Sequence, residues 1–103
     1  MSHTHELQTT LPRSVVMALL DEAMAQAALT RINGDNAVER KSERVVVAVD
    51  LHMSFMRFAT GQSVATAQVV GGGKTMVFCE AQLRNDQGDV VAQALGTYRA
   101  QTP

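Results

Sequence analysis

Among the 103 residues of the chain, Asp21 is the side chain best placed to do chemistry. If residues 12–29 are helical, turning each residue by about 100° sets Asp21 among Met17, Ala18, Met24, Ala25 and Ala28. A carboxylate in such an apolar setting needs a partner or a task, and once positioned it is a competent general base or nucleophile. Glu22 points about 100° away, as a solvated or interfacial residue would. Asp50 and His52 share a strand face at i, i+2, with Ser54 parallel to them. No serine or cysteine nucleophile motif accompanies that pair, and neighbours on an exposed or interfacial sheet face explain it equally well. Gly71-Gly72-Gly73-Lys74 sets free backbone N–H groups beside a lysine charge, but without P-loop spacing it does not support nucleotide hydrolysis and reads as a flexible hairpin. His3 and His5 lie in a polar terminus that fixes no ligand geometry, so no metal site is expected. Cys79, within apolar alternation, reads as an inert core thiol.

The element that must carry Asp21 is residues 12–29, PRSVVMALLDEAMAQAAL. Val16, Leu20, Ala23, Met24 and Ala27 recur at helical spacing and form the expected core stripe. Pro12 suits a first turn, Ser14 offers a side-chain oxygen to the free N–H groups there, and Asn33-Gly34 suits a left-handed stop. The opposite side carries Ala18, Ala25, Ala28 and Leu29 in place of the usual charges, so a second surface is expected to cover it. Residues 1–11 read as a tail or a short edge strand, and residues 12–103 as a single domain.

A polar turn-rich loop over residues 31–44 follows the helix. Residues 45–55 then alternate strictly, predicting a strand with Val45, Val47, Val49, Leu51, Met53 and Phe55 on its core face and Val47, Val49, Leu51 and Phe55 against the helix. Residues 62–70, 74–83 and 89–99 continue as strands, separated by the glycine triplet and by Asn85-Asp86-Gln87-Gly88. Val77, Cys79, Ala81 and Leu83 share one face. The expected class is α+β, one helix on a four-stranded antiparallel meander. Val46, Ala48, Val64, Met76, Phe78, Val90, Ala92 and Ala94 are expected on the sheet's other face, which a second copy would cover.

A formal charge of −1 gives no general electrostatic case for nucleic acid or an anionic membrane. No apolar run approaches the roughly 18 residues of a spanning helix, and the polar start lacks a signal segment. One cysteine excludes an intrachain disulfide, and a reducing, cytoplasmic setting is expected.

Residues 15–99 resemble the hotdog-fold thioesterases, in particular the phenylacetyl-CoA thioesterase branch of the 4-hydroxybenzoyl-CoA thioesterase superfamily. LLDEAMAQAA (19–28) resembles the central-helix motif, VAVDLHMSFMRFA (47–59) the strand motif ending in Ser-Phe-Leu-Arg-Pro-Ala, and DVVAQALGTYR (89–99) the closing strand. The resemblance implies a hotdog fold, one long central helix wrapped by a curved antiparallel sheet. It also implies a homodimer or homotetramer whose interface binds an acyl-CoA or other small acyl thioester, with no cofactor. The resemblance further implies that Asp21, which aligns with the family's helix acid, serves as nucleophile or base, and that a backbone N–H at the helix start polarises the thioester carbonyl. Candidate substrate contacts are Arg13 and Ser14 at that start, Arg57, and Gly72, Gly73 and Lys74 as a cradle for CoA phosphates. Three features depart from the family. Pro12-Arg13-Ser14 replaces its His-Gly-Gly, so that Arg13 and Ser14 narrow the approach to the backbone, Phe58 replaces a proline, and only eleven residues precede the helix. A non-catalytic hotdog module for ligand binding or assembly is the alternative function. A hotdog dehydratase or hydratase ranks third, because its usual His and acid arrangement is not seen on the helix.

Overall fold

Residues Arg13–Asn33 form a 21-residue helix, α1, and five of its side chains at four-residue spacing, Val16, Leu20, Met24, Ala28 and Ile32, are buried. Each four-residue step advances the side chain about 40° beyond a full turn, so the stripe drifts around the helix as it runs. That drift brings Ala28, expected on the opposite side, into the core with no exposure, and leaves Ala23 and Ala27 half-buried beside it. Pro12 is the N-cap, and its carbonyl accepts from the Val15 and Val16 N–H groups at 2.9 and 3.1 Å. Ser14, expected to cap, lies inside the first turn, and no side chain caps this end. At the other end Gly34, with φ 72°, donates its N–H to Thr30 O at 2.8 Å.

This computed structural model describes residues 10–34 and 44–102. Asn33 joins the two stretches: its Nδ2 donates to Arg44 O at 3.0 Å and its Oδ1 accepts from Arg44 N at 3.1 Å. Of the segment before the helix, expected as a tail or a short edge strand, Thr10 forms an antiparallel bridge with Thr60 and Leu11 N donates to Ala59 O at 2.7 Å. His3, His5 and the rest of that segment lie outside the described residues.

Four antiparallel strands follow: β1 (Val45–Phe55), β2 (Ser63–Gly72), β3 (Met76–Asn85) and β4 (Val90–Gln101). Their order is β1-β4-β3-β2, so only the last three form a meander. The expected four-strand meander is corrected because β1 pairs with β4 at the far edge, from Val45↔Gln101 to Phe55↔Ala92. Seven residues link β1 to β2, enough to pass the three strand spacings of about 14 Å between the edges.

The helix covers one face of this sheet, chiefly over β2 and β3 and more lightly over β4 and β1. Val77, Cys79, Ala81 and Leu83 of β3 are buried beneath it, as their alternation predicts. They pair with Tyr98, Gly96, Ala94 and Ala92 of β4 on the same face. Ala92 and Ala94 therefore belong to the core and not to the outer face, where Val64, Phe78 and Leu95 are exposed.

The strict alternation of β1 is interrupted at Val49, because Ala48 pairs with Tyr98 whereas Asp50 pairs with Thr97. Val49 is the extra residue of a bulge and reverses the phase: Val46 packs on the core before it and Met53 after it. The expectation that Val47 and Val49 lie against the helix is therefore corrected, and Val49 is 48% exposed. Leu51 and Phe55 pair with core-side Gly96 and Ala92 yet stay partly exposed, since α1 leans toward the other edge. Similar register shifts fall at Val70 in β2 and Val91 in β4, and such bulges bend a sheet around what it wraps.

Candidate functional site

Asp21 lies midway along α1, half-buried at the border between the core stripe and the exposed helix flank. Its Oδ1 accepts a hydrogen bond from Tyr98 Oη at 2.6 Å, and its backbone oxygen lies 3.3 Å from the same hydroxyl. Tyr98 comes from the core face of β4 and is 1% exposed. Burial, reinforced by the neighbouring carboxylate, pushes its phenol far above the ordinary range, so the hydroxyl is a neutral donor. The carboxylate that needed a partner or a task has a partner.

Tyr98 is absent from the sequence-derived candidates, although a signal for it exists. In β4 it shares parity with Ala94 on the core face, and a buried tyrosine hydroxyl needs an acceptor. What no local pattern supplies is the identity of that acceptor, 77 residues away. Cys79, also on the core face, has its thiol pushed up by burial and sits 3.6 Å from Met24 O, as an inert core thiol does.

A cavity of about 600 Å³ opens at the N-terminal end of α1, with Leu11, Arg13, Val16, Phe55, Arg57 and Phe58 in its walls. Val16 is five residues before Asp21, a rise of about 7.5 Å along the helix. The Arg13 guanidinium lies 5.1 Å from the centre of the Phe55 ring, and Arg57 Nη1 is 3.5 Å from Asp89 Oδ2, both of that pair being well exposed. The cavity thus has apolar walls and two cations at its edge. Ser14 is exposed in the first helical turn and does not line it.

Gly72, Gly73 and Lys74 lie at the other end of the helix. Arg31, in the last turn of α1, donates to Gly72 O at 3.2 Å, and Arg44 donates to Lys74 O at 3.2 Å. The Gly73 N–H is engaged by Met76 O at 2.8 Å. Arg13 and Arg31 are separated by about 27 Å of helix, so one subunit does not bring the glycine turn together with Arg13 and Arg57. Asp50 and His52 face away from α1, opposite Thr97 and Leu95, and no hydrogen bond joins them. With Val70, Phe78 and Leu95 they border a separate outer depression of about 450 Å³.

The model of the thioesterase superfamily matches residues 13–92, which include α1 and most of the sheet. The chain belongs to the thioesterase superfamily. Among solved structures, a Bacillus halodurans protein determined with CoA is 25% identical, with a TM-score of 0.73 over 88% of this chain and 59% of its own. The Escherichia coli PaaI protein, from the phenylacetic acid degradation operon, is 24% identical with a TM-score of 0.73, over 99% of this chain and 67% of its own. A putative esterase from Mycobacterium tuberculosis is 19% identical with a TM-score of 0.76, covering 91% of this chain and 71% of its own. This superfamily member thus spans 59% of the length of the Bacillus halodurans protein. No curated protein matches it. One helix against a curved four-stranded antiparallel sheet is the hotdog fold, as the sequence resemblance implies. No helix among the described residues is long and apolar enough to cross a membrane.

Proposed function

We propose that this chain binds and hydrolyses an acyl-CoA or another small acyl thioester at a subunit interface, with Asp21 as base or nucleophile. The observation that carries this reading is the setting of Asp21: an acid on the central helix, half-buried, with Oδ1 held by Tyr98, within about 8 Å of helix rise from an apolar cavity edged by arginines. As a base, the carboxylate takes a proton from water while the water oxygen adds to the thioester carbonyl. The C–S bond then breaks, and the thiolate recovers the proton, leaving acid and free thiol. As a nucleophile, the carboxylate forms the new C–O bond itself, expels the thiolate, and the resulting anhydride is opened by water.

The carbonyl oxygen needs donors. Val15 and Val16 donate to Pro12 O, which leaves the N–H groups of Arg13 and Ser14 at the helix start. Those groups are eight and seven residues from Asp21, about 10–12 Å of rise and too far to serve one carbonyl within a subunit. A site that pairs Asp21 of one subunit with the helix start of another removes the conflict, and supports a homodimer or homotetramer. Val15, Met17 and Leu19 on α1, and Leu51 and Phe55 on β1, are exposed apolar side chains suited to such an interface. Arg57 and the turn at Gly72, Gly73 and Lys74 are the proposed phosphate contacts, the turn acting from a neighbouring subunit. The single cysteine, buried and free, fits a reducing, cytoplasmic setting.

The test is a panel of acyl-CoA esters, phenylacetyl-CoA and hexanoyl-CoA among them, assayed for hydrolysis and separately for binding. Asp21→Asn keeps an amide oxygen for Tyr98 and removes the base, so turnover should fall by about 10² or more with binding little changed. Hydrolysis that persists in the variant refutes the role of Asp21, and a monomer in sedimentation at micromolar concentration refutes the shared site. A second reading, a non-catalytic module that binds a small apolar ligand or assembles, is favoured by the Tyr98 bond, because that contact already gives the carboxylate a structural role. Binding without hydrolysis in the parent protein selects it.

A further inference from the structure

We infer that Tyr98 is a positioning residue for Asp21: its buried hydroxyl holds Oδ1 and leaves Oδ2 as the one oxygen that meets a substrate. The inference rests on the thioester reading above. An aspartate on a helix has several side-chain wells and a broad terminal torsion, whereas a base or nucleophile must be held within tenths of an ångström of its working place. The contact between Tyr98 Oη and Oδ1 is 2.6 Å, the length of a charge-assisted bond, and it takes the one hydrogen of the hydroxyl, the Asp21 backbone oxygen lying farther off at 3.3 Å.

The donor is itself fixed. The Tyr98 ring lies across Gly96, where an added Cβ would sit 3.0 Å from Tyr98 Cε2 and 3.1 Å from both Leu51 Cδ2 and Met24 Cε. Gly96 is not among the glycines with positive φ, so its lack of a side chain serves space and not backbone conformation. β1, β4 and α1 thus close on one ring, and the ring hands their rigidity to the carboxylate. Among the described residues, no side-chain oxygen or nitrogen is both buried and without a partner. Oδ2 has no hydrogen-bond partner among the described residues and belongs to a half-buried side chain, while Oδ1 is engaged by Tyr98. A tyrosine so buried touches no substrate, and its phenol is protonated at neutral pH, so it orients the acid without entering the reaction.

Tyr98→Phe removes only the hydroxyl, whereas Gly96→Ala keeps both groups and presses on the ring. Phenylacetyl-CoA turnover is measured for the parent and both variants, alongside melting temperature and the α–β proton couplings of Asp21 by NMR. Tyr98→Phe should lower kcat by about tenfold or more with KM within about twofold, and its Asp21 couplings should average over rotamers. Gly96→Ala should show a smaller fall in kcat. An unchanged kcat with a lowered melting temperature in Tyr98→Phe would assign the bond to stability alone and overturn the inference. Couplings already averaged in the parent overturn it too, whether or not any variant folds. If the parent turns over no ester, fixed couplings that become averaged in Tyr98→Phe support the positioning role and place the failure with the thioester reading.

Discussion

Replacing Val49 by aspartate separates the strand that its alternation predicts from the strand that the bulge creates. On the alternating register Val49 faces the helix, and an unpaired buried carboxylate there costs several kcal/mol, much of the 5–15 kcal/mol by which a small domain holds its fold. In the structure Val49 is the extra residue between Ala48 and Asp50 and is 48% exposed. Full burial of a valine is worth about 2 kcal/mol, so roughly half of that, about 1 kcal/mol, is lost. The poor fit of aspartate to a strand adds up to about 1 kcal/mol. For a domain of this size, 1 kcal/mol moves the midpoint by about 4–8 °C, so Val49→Asp should melt about 5–15 °C lower and remain folded at 25 °C. Far-ultraviolet circular dichroism through a thermal ramp reads this, at one fixed protein concentration and with sedimentation alongside, because association contributes to the midpoint. Leu83→Asp is the matched control, since Leu83 has no exposure and should not tolerate the change. A Val49→Asp chain unfolded at 25 °C, or a Leu83→Asp chain that melts with it, would refute the placement of the bulge.

Two further outcomes follow from local chemistry. Unfolded tyrosine ionises near pH 10 while folded Tyr98 keeps its proton, so above that pH the native state holds the extra proton and stability falls as pH rises, by up to about 1.4 kcal/mol per pH unit from this residue. Below pH 10 the contribution is complete; urea midpoints from pH 9 to 11.5 should fall more steeply in the parent than in Tyr98→Phe, and equal slopes would refute the raised phenol pKa. Gly72 has φ 106° and a Cβ there would meet the Met76 carbonyl and lie 2.9 Å from Val77 Cα, so Gly72→Ala should cost about 2 kcal/mol or more. Gly73 has open space around it, and Gly73→Ala should be neutral or stabilise by about 0.5 kcal/mol, so equal losses in urea unfolding would show that the turn is built differently.

Features of local origin are legible in the residues themselves. A helix reports itself through four-residue recurrence, which is why Val16, Leu20 and Met24 fall in the core as their spacing predicts. The alternation of Val77, Cys79, Ala81 and Leu83 survives because β3 carries no extra residue within that run. The turn at Asn85 works through a side chain that accepts from Gln87 N and Asp89 N at 3.0 and 2.9 Å, an Asx device readable from residue type. The thioesterase superfamily is legible from three ordered segments, none of them specific alone.

The tertiary structure decided what depends on partners distant in the chain. A bulge adds one residue to one strand and has no composition of its own, so the valines of β1 read as one face until β4 shows which of them pairs with nothing. Alternation marks the two faces of a strand but not its neighbours, so the place of β1 beside β4 could not be read from it. At the candidate site, the acid was visible in the sequence because its carboxylate contrasts with the apolar residues that border it on the helix. The tyrosine that holds it was not, because their encounter is created by sheet register and by the space left at Gly96. The same geometry places Gly72 at one end of the helix and Arg13 at the other, and residue types carry no distance until the chain has folded.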